Sequence, residues 1–196
     1  MAANVKISGL RRREPLILEH IPENLLREPV EYIFADHYKL RQVIATMDRF
    51  LTEGLFVSPL AEDDASDLSV IREYLINELP AHIADEEEDL FPYLEQRCQG
   101  DGDTKQILDT LRQEHVEDFA LLPSVTAGLG ELLAGEAVSG REIFETSAAR
   151  FVETQRRHVI WENNIVLPLA RRHLTVDDMT VMGRKMAARR NIEFPA

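Results

Sequence analysis

Apolar residues recur at intervals of three and four through most of the chain, the period of an amphipathic helix. Pro29 suits a helix start, and after it Tyr32, Ile33, Leu40, Val43, Ile44, Met47, Phe50 and Leu51 mark a single stripe. Gly54 and Pro59 are expected to end this first helix. The acidic loop 61–67 offers Asp64 or Ser66 as an N-cap. A second helix should then run from about Asp67 to Arg97, bent or divided at Pro80 and Pro92. Gly100-Asp101-Gly102-Asp103 is the clearest break in the chain. It precedes a third helix over about Thr104 to Leu133, weakened in its second half by Pro123, Gly128 and Gly130 and closed by Gly135. Ser139 is the expected cap of a fourth helix reaching to about His173. Thr175-Val176-Asp177-Asp178 caps a shorter last helix that ends in the basic run Arg184 to Arg190, with charges that suit the helix dipole at both ends. No stretch reads as a strand. The pattern predicts an all-α fold: an antiparallel up-down four-helix bundle with a short C-terminal helix over 30–196. Residues 1–29, broken by Pro15, Pro22 and Pro29, should form an extended N-terminal arm with one short helical turn.

An internal repeat lies over this pattern. Asp36-His37 on the first helix has a counterpart in Glu114-His115 on the third. On the second helix His82 precedes Glu86 by four and Pro92 follows; on the fourth, His158, Glu162 and Pro168 repeat the spacing. Residues four apart lie one above the other on a helix, so an imidazole and a carboxylate at that spacing can close on one cation. Each hairpin thus carries a lone histidine on its first helix and His-x-x-x-Glu on its second. At a rise of about 1.5 Å per residue, the two histidines of each hairpin stand equally far from the loop that joins their helices. All six side chains can lie in one layer.

Their neighbours point inward. Ile33, Leu40, Ile44, Leu79, Ile83, Leu90, Leu111, Leu122, Phe151 and Ile165 each lie three, four, seven or eight residues from one of the six on its own helix. Imidazoles and carboxylates are costly to bury unless paired, protonated or bound to metal. His37, His82, His115, His158, Glu86 and Glu162 are therefore candidate metal ligands, with two histidines per ion and both glutamates shared. Imidazole with carboxylate suits iron, manganese or zinc.

The remaining polar residues have plainer readings. His20 and His173 are expected at the surface, and Asp85 to Asp89 as a solvated helix face with Glu86 its one inward member. Trp161 reads as core packing, and Cys98 lacks the partner a nucleophile needs. Asp36 and Glu114, each one residue before a candidate ligand, are candidate supports for the imidazoles. No catalytic acid–base residue and no substrate pocket emerges.

Composition narrows the partners. A net charge of −13 over 196 residues disfavours nucleic-acid backbones and anionic membrane surfaces. No run is long enough for a membrane helix, and the arginines at 11–13 have no apolar segment behind them, so no signal peptide is expected. A single cysteine leaves neither a disulfide framework nor a thiolate metal site. The expectation is a cytoplasmic protein.

The segments Asp36-His37, HIADEEEDLFP (82–92), Glu114-His115 and HVIWENNIVLP (158–168) resemble the hemerythrin-like, HHE cation-binding domain, and residues 174–190 resemble the tail of its bacterial members. The resemblance covers about 30–190. It implies a non-haem di-iron centre, oxo- or hydroxo-bridged, with His37, His82, His115 and His158 as ligands and Glu86 and Glu162 as bridges. Oxygen-carrying hemerythrins have a second histidine one turn beyond the ligand on the third helix, where this chain has Phe119. Their last carboxylate is an aspartate five residues on, where this chain has Glu162 at four. The spacing is closer to bacterial iron–sulfur-cluster repair proteins, whose extra histidine late in the first helix has only Gly54 to Ser58 to match it here. The resemblance implies a module that binds or senses O2, NO or peroxide, or holds iron. The alternative is an enzyme that reduces peroxide or NO, or donates iron for cluster repair.

Overall fold

The computed structural model describes residues 14–195. Most of the expected arm, residues 1–13, lies outside the described residues. From residue 14 the chain runs without regular secondary structure to a 3-10 turn at Glu23–Arg27. This part of the arm is packed rather than loose, since Ile21 and Leu26 are buried among the helices.

Five helices follow: α1 (Pro29–Thr52), α2 (62–97), α3 (Gly102–Leu133), α4 (141–173) and α5 (Val176–Arg189). The described residues contain no strand. α1 to α4 form the four-helix bundle, α1 against α2 and α4, and α3 against α2 and α4, while α5 lies against α1, α2 and the 3-10 turn. Thr175 caps α5 by a reciprocal box with Asp178.

Several boundaries differ from the sequence reading. α2 begins at Glu62, with Ala61 rather than Asp64 or Ser66 before it. Asp67, taken as the first turn, is buried and accepts the Leu16 backbone N–H instead. Before α4 the cap position is Gly140, with a left-handed φ of 66°, while the Ser139 N–H donates to Glu131. Asp101 caps α3 through the N–H groups of Asp103 and Thr104, and the helix continues unbroken through Pro123.

The prolines of α2 and α4 neither break nor divide them. Proline lacks an N–H and its ring collides with the carbonyl four residues back. Both helices absorb this by widening one turn to π geometry, at Tyr74–Glu78 before Pro80, at Glu86–Leu90 before Pro92 and at Glu162–Val166 before Pro168. In the last two, the residue before the proline donates to the carbonyl of the glutamate five back, Phe91 to Glu86 and Leu167 to Glu162. The repeated glutamate-to-proline spacing is thus the spacing of a π-turn that opens on the glutamate. The extra residue also shifts the inward stripe: Leu90 and Val166, both eight beyond a histidine, are buried, and Ile165 is only partly so.

The apolar core is split in two. One cluster holds Leu40, Leu79, Leu122 and Phe151 and the residues beyond them toward the α1–α2 and α3–α4 connections. The other holds Ile33, Leu90, Leu111 and Val166 at the opposite end, together with Met182 and Met186 of α5. α1 and α3 cross from one cluster to the other around their histidines, and α2 and α4 cross between Ile83 and Leu90 and between Val159 and Val166. α5 seats closely, for a Cβ on Gly183 would collide with the Leu26 carbonyl oxygen.

Candidate metal centre

The gap between the two cores is filled by the six residues that the repeat singles out. His37, His82, His115, His158, Glu86 and Glu162 are all buried, none more than 2% exposed. His37 Nε2 lies 3.0 Å from Glu162 Oε2 and 3.4 Å from Glu86 Oε1. His82 Nε2 is 3.3 Å from Glu86 Oε1, His115 Nε2 is 3.3 Å from Glu86 Oε2, and His158 Nε2 is 3.2 Å from Glu162 Oε2. Two sets of donors result, His37, His82, Glu86 and Glu162, and His115, His158, Glu86 and Glu162; within each, the ligand atoms lie within 4.8 Å of one another. Both carboxylates belong to both sets.

Each ring is held from behind, through Nδ1. His158 Nδ1 is 3.0 Å from Glu114 Oε2, and His82 Nδ1 lies 3.3 Å from Asp36 Oδ2, within ion-pair reach though off hydrogen-bond geometry. His115 Nδ1 is 2.6 Å from Glu87 Oε1, and His37 Nδ1 is 2.8 Å from Asn163 Oδ1. The pattern follows the repeat: the residue before the lone histidine supports the other ring of its own hairpin, and the residue after the glutamate supports the lone ring of the opposite hairpin. With Nδ1 turned outward to these partners, each Nε2 faces the centre, the atom through which a neutral imidazole would bind a metal.

Several polar atoms there lack a hydrogen-bond partner among the described residues: both oxygens of Glu162, Oε2 of Glu86 and both ring nitrogens of His82. Orphaned buried groups are costly. Imidazole nitrogens and carboxylate oxygens converging without partners are what a cation would satisfy, so the donor set fits a metal.

The charges respond accordingly. Burial opposes a charge on His37, but the Glu162 and Glu86 carboxylates overcome it and raise its pKa to about 10. At His115 burial is overcome by Glu86 and Glu87, to about 9. His82 and His158 are raised as well, and Glu86 and Glu162 are lowered, each against the burial penalty. Four rings that hold protons in this cage give them up when a cation takes their place.

Phe119 is half exposed and faces away from the centre. The inward residue one turn beyond His115 is Asp118, which sequence reasoning passed over. Asp118 is fully buried and accepts a hydrogen bond from Gln155 Nε2. Burial raises its pKa to about 7, against the pull of the His158 charge. Its spacing of three residues from His115, matched by Gln155 three before His158, was the available signal.

Two plainer readings also need correction. Asp85 and Asp89 do not belong to a solvated face. Both are fully buried, Asp85 bound by Arg189 and Arg190 and Asp89 by Lys185 and Arg189, all from α5 or its end. Trp161 is 43% exposed rather than core. His20 is exposed and His173 partly so.

Among the described residues no helix is long and apolar enough to cross a membrane. An uncharacterized protein of Haemophilus influenzae is 26% identical over 166 residues, which cover 85% of this chain and 92% of that protein. The model of the hemerythrin HHE cation binding domain matches residues 28–170, a span that holds all six clustered side chains and the four bundle helices except the last turn of α4. With a buried His/Glu cluster that points to metal binding, the chain belongs to the hemerythrin HHE cation-binding family.

Proposed function

We propose that the protein holds a pair of metal ions, iron before manganese or zinc, and binds or senses a small molecule such as O2, NO or peroxide there. One observation carries the reading: two buried donor sets share both carboxylates. A single ion would use one set and leave two imidazoles stranded in the core. Two ions would use all six residues, His37 and His82 holding one, His115 and His158 the other, with Glu86 and Glu162 available to both. Two imidazoles and two shared carboxylates fall short of the six positions that iron prefers, leaving room for an exogenous ligand. Iron would supply the reversible electron transfer that binding or sensing O2 or NO requires.

The chain's own residues do the rest. Asp36, Glu87, Glu114 and Asn163 orient the rings, and the two apolar clusters exclude water from both ends of the layer. A second reading, an enzyme that reduces peroxide or NO or donates iron, is favoured by Asp118: a titratable side chain beside the cage that the metal-holding role does not use.

The test is metal analysis with a visible spectrum. Purified protein should contain about two irons per chain. The absorption of the ferric pair should vanish in His82→Ala/Glu86→Ala, since Glu86 serves both sites. Protein that is fully stable and takes up no metal would end the proposal.

A further inference from the structure

The two hairpins repeat at offsets of 78 residues along their first helices and 76 along their second. At these offsets Asp118 corresponds to Leu40 and Gln155 to Leu79. Both leucines are fully buried and belong to the apolar cluster beside the centre. The first hairpin therefore closes its end of the cage with two aliphatic side chains. The second places a carboxyl and a carboxamide at the same two positions, equally buried and bonded to each other.

That exchange is costly. One hydrogen bond joins the pair, yet among the described residues Asp118 Oδ1 and Gln155 Oε1 have no hydrogen-bond partner, nor has the neighbouring Thr154 Oγ1. Unpaired buried polar atoms are costly, and the leucines show that this fold closes the same position without any. Asp118 and Gln155 lie on the ligand faces of their helices, three residues from His115 and His158. Asp118 feels the charges of both rings.

We infer that Asp118 and Gln155 form a polar subsite at the His115/His158 end of the centre, and that it selects a small molecule with hydrogens to donate, hydrogen peroxide above O2, NO or azide. This rests on the metal-pair reading above and names the residues that discriminate among its ligands. Two oxygen acceptors recognise a molecule carrying O–H groups. Diatomic oxygen, nitric oxide and azide anion have no hydrogen to offer them and would leave the same atoms unsatisfied. A site built to bond a hydrogen rejects an analogue lacking it far more strongly than an apolar site can.

Zinc-loaded full-length protein provides the test, because zinc does not turn hydrogen peroxide over and its binding can be followed at equilibrium by calorimetry. In Asp118→Leu/Gln155→Leu, which copies the first hairpin, peroxide affinity should fall at least tenfold. Azide affinity should change less than twofold and zinc content should not change. The metal-free variant should melt no lower than the parent. If the double variant does not fold, Asp118→Asn and Gln155→Met should each weaken peroxide at least threefold with azide unaffected. Unchanged peroxide affinity, an equal loss for azide, no measurable peroxide binding by the parent, or zinc lost together with the pair would each overturn the inference. A parent that takes up no metal removes the metal-pair reading itself; a metal-replete parent whose variants bind peroxide normally removes only the subsite.

Discussion

The two hairpins present the same inner surface, one lone histidine and one His-x-x-x-Glu each, but differ in much of what stands behind and beside it. Behind His115 stands the carboxylate of Glu87, whereas behind His37 the same place is taken by the neutral amide of Asn163. Beside the centre the first hairpin has Leu40 and Leu79 where the second has Asp118 and Gln155. On the outer face, Asp85 and Asp89 of α2 are gripped by α5, and their counterparts on α4 are Trp161 and Ile165, which α5 does not cover. The repeat is kept where six donors must meet at one level and is lost where each half has a different neighbour. A duplicated hairpin has thus become two unlike halves of one site.

The largest expected effect concerns the cage as a whole. In metal-free protein His37 is held at about 10 and His115 at about 9, against an unfolded value near 6.5. A raised folded pKa stabilises fully below the unfolded pKa, and that contribution is lost as pH climbs through the folded value. Metal-free protein should therefore lose several kcal/mol between about pH 6.5 and 10, read from urea midpoints. Acid acts oppositely on Glu86 and Glu162, whose lowered pKa values give stability that is present above about 4.5 and lost below it. Metal-loaded protein should lack the alkaline decline, because its rings carry no proton to lose. NMR of the metal-free form should find both rings still protonated well above pH 6.5; rings already neutral there would break the account of the cage.

Next comes the α5 clamp, which only the first hairpin has. Arg190 Nη2 meets Asp85 Oδ2 at 2.6 Å and Arg189 Nη1 meets Asp85 Oδ1 at 2.7 Å, with side chains no more than 18% exposed. Stripping a buried carboxylate of its partners costs about 3–5 kcal/mol. Arg189→Ala/Arg190→Ala should lower stability by that amount in thermal melts, while metal content per folded chain stays the same. A loss below about 1 kcal/mol would mean that α5 rests on the bundle through Met182, Met186 and the close seat of Gly183 alone.

Smaller is the effect of the unlike ring supports. Carboxylates behind metal-bound imidazoles are worth roughly tenfold or more in metal affinity. Glu87→Gln should make the second site like the first and weaken its metal about tenfold, and Asn163→Asp should strengthen the first by a similar factor. Chelator competition on the two variants separates the sites. If both leave both affinities unchanged, the asymmetry behind the rings has no consequence for metal.

What the sequence makes legible follows this division. The meeting of the six side chains can be read in advance because it depends only on helical rise and on loops that keep paired histidines level. α1 matches its expected span because Pro29 and Gly54 act locally at its ends, and the Thr175 box does the same for α5. The π-turns are not legible, although their trace, a proline six residues after each glutamate, is in plain view. Proline usually signals a break, and only the packed neighbours show that the helix widens instead. The burial of Asp85 and Asp89 depends on where α5 lands, a long-range fact that no local pattern carries. Asp118 and Gln155 escape notice because the repeat offers them no polar counterpart, and the comparison that exposes the six donors hides these two.

The smallest expected effect lies where the second hairpin is bare. Trp161 occupies the position of Asp85, yet it is 43% exposed and lines a shallow groove with Ile160, Arg156 and Asp48. Its indole adds apolar cover to α4 but closes no core, and its neighbour Ile160 is more exposed still. Trp161→Gln keeps helix propensity and removes only that cover, so stability should shift by no more than about 0.5 kcal/mol, the usual range for surface positions. Set beside the loss expected from the α5 clamp, this would show that corresponding positions on α2 and α4 differ severalfold in what they hold. A loss above about 2 kcal/mol in denaturant midpoints would instead mean that the face around Trp161 is covered in solution, as the face of α2 is covered by α5.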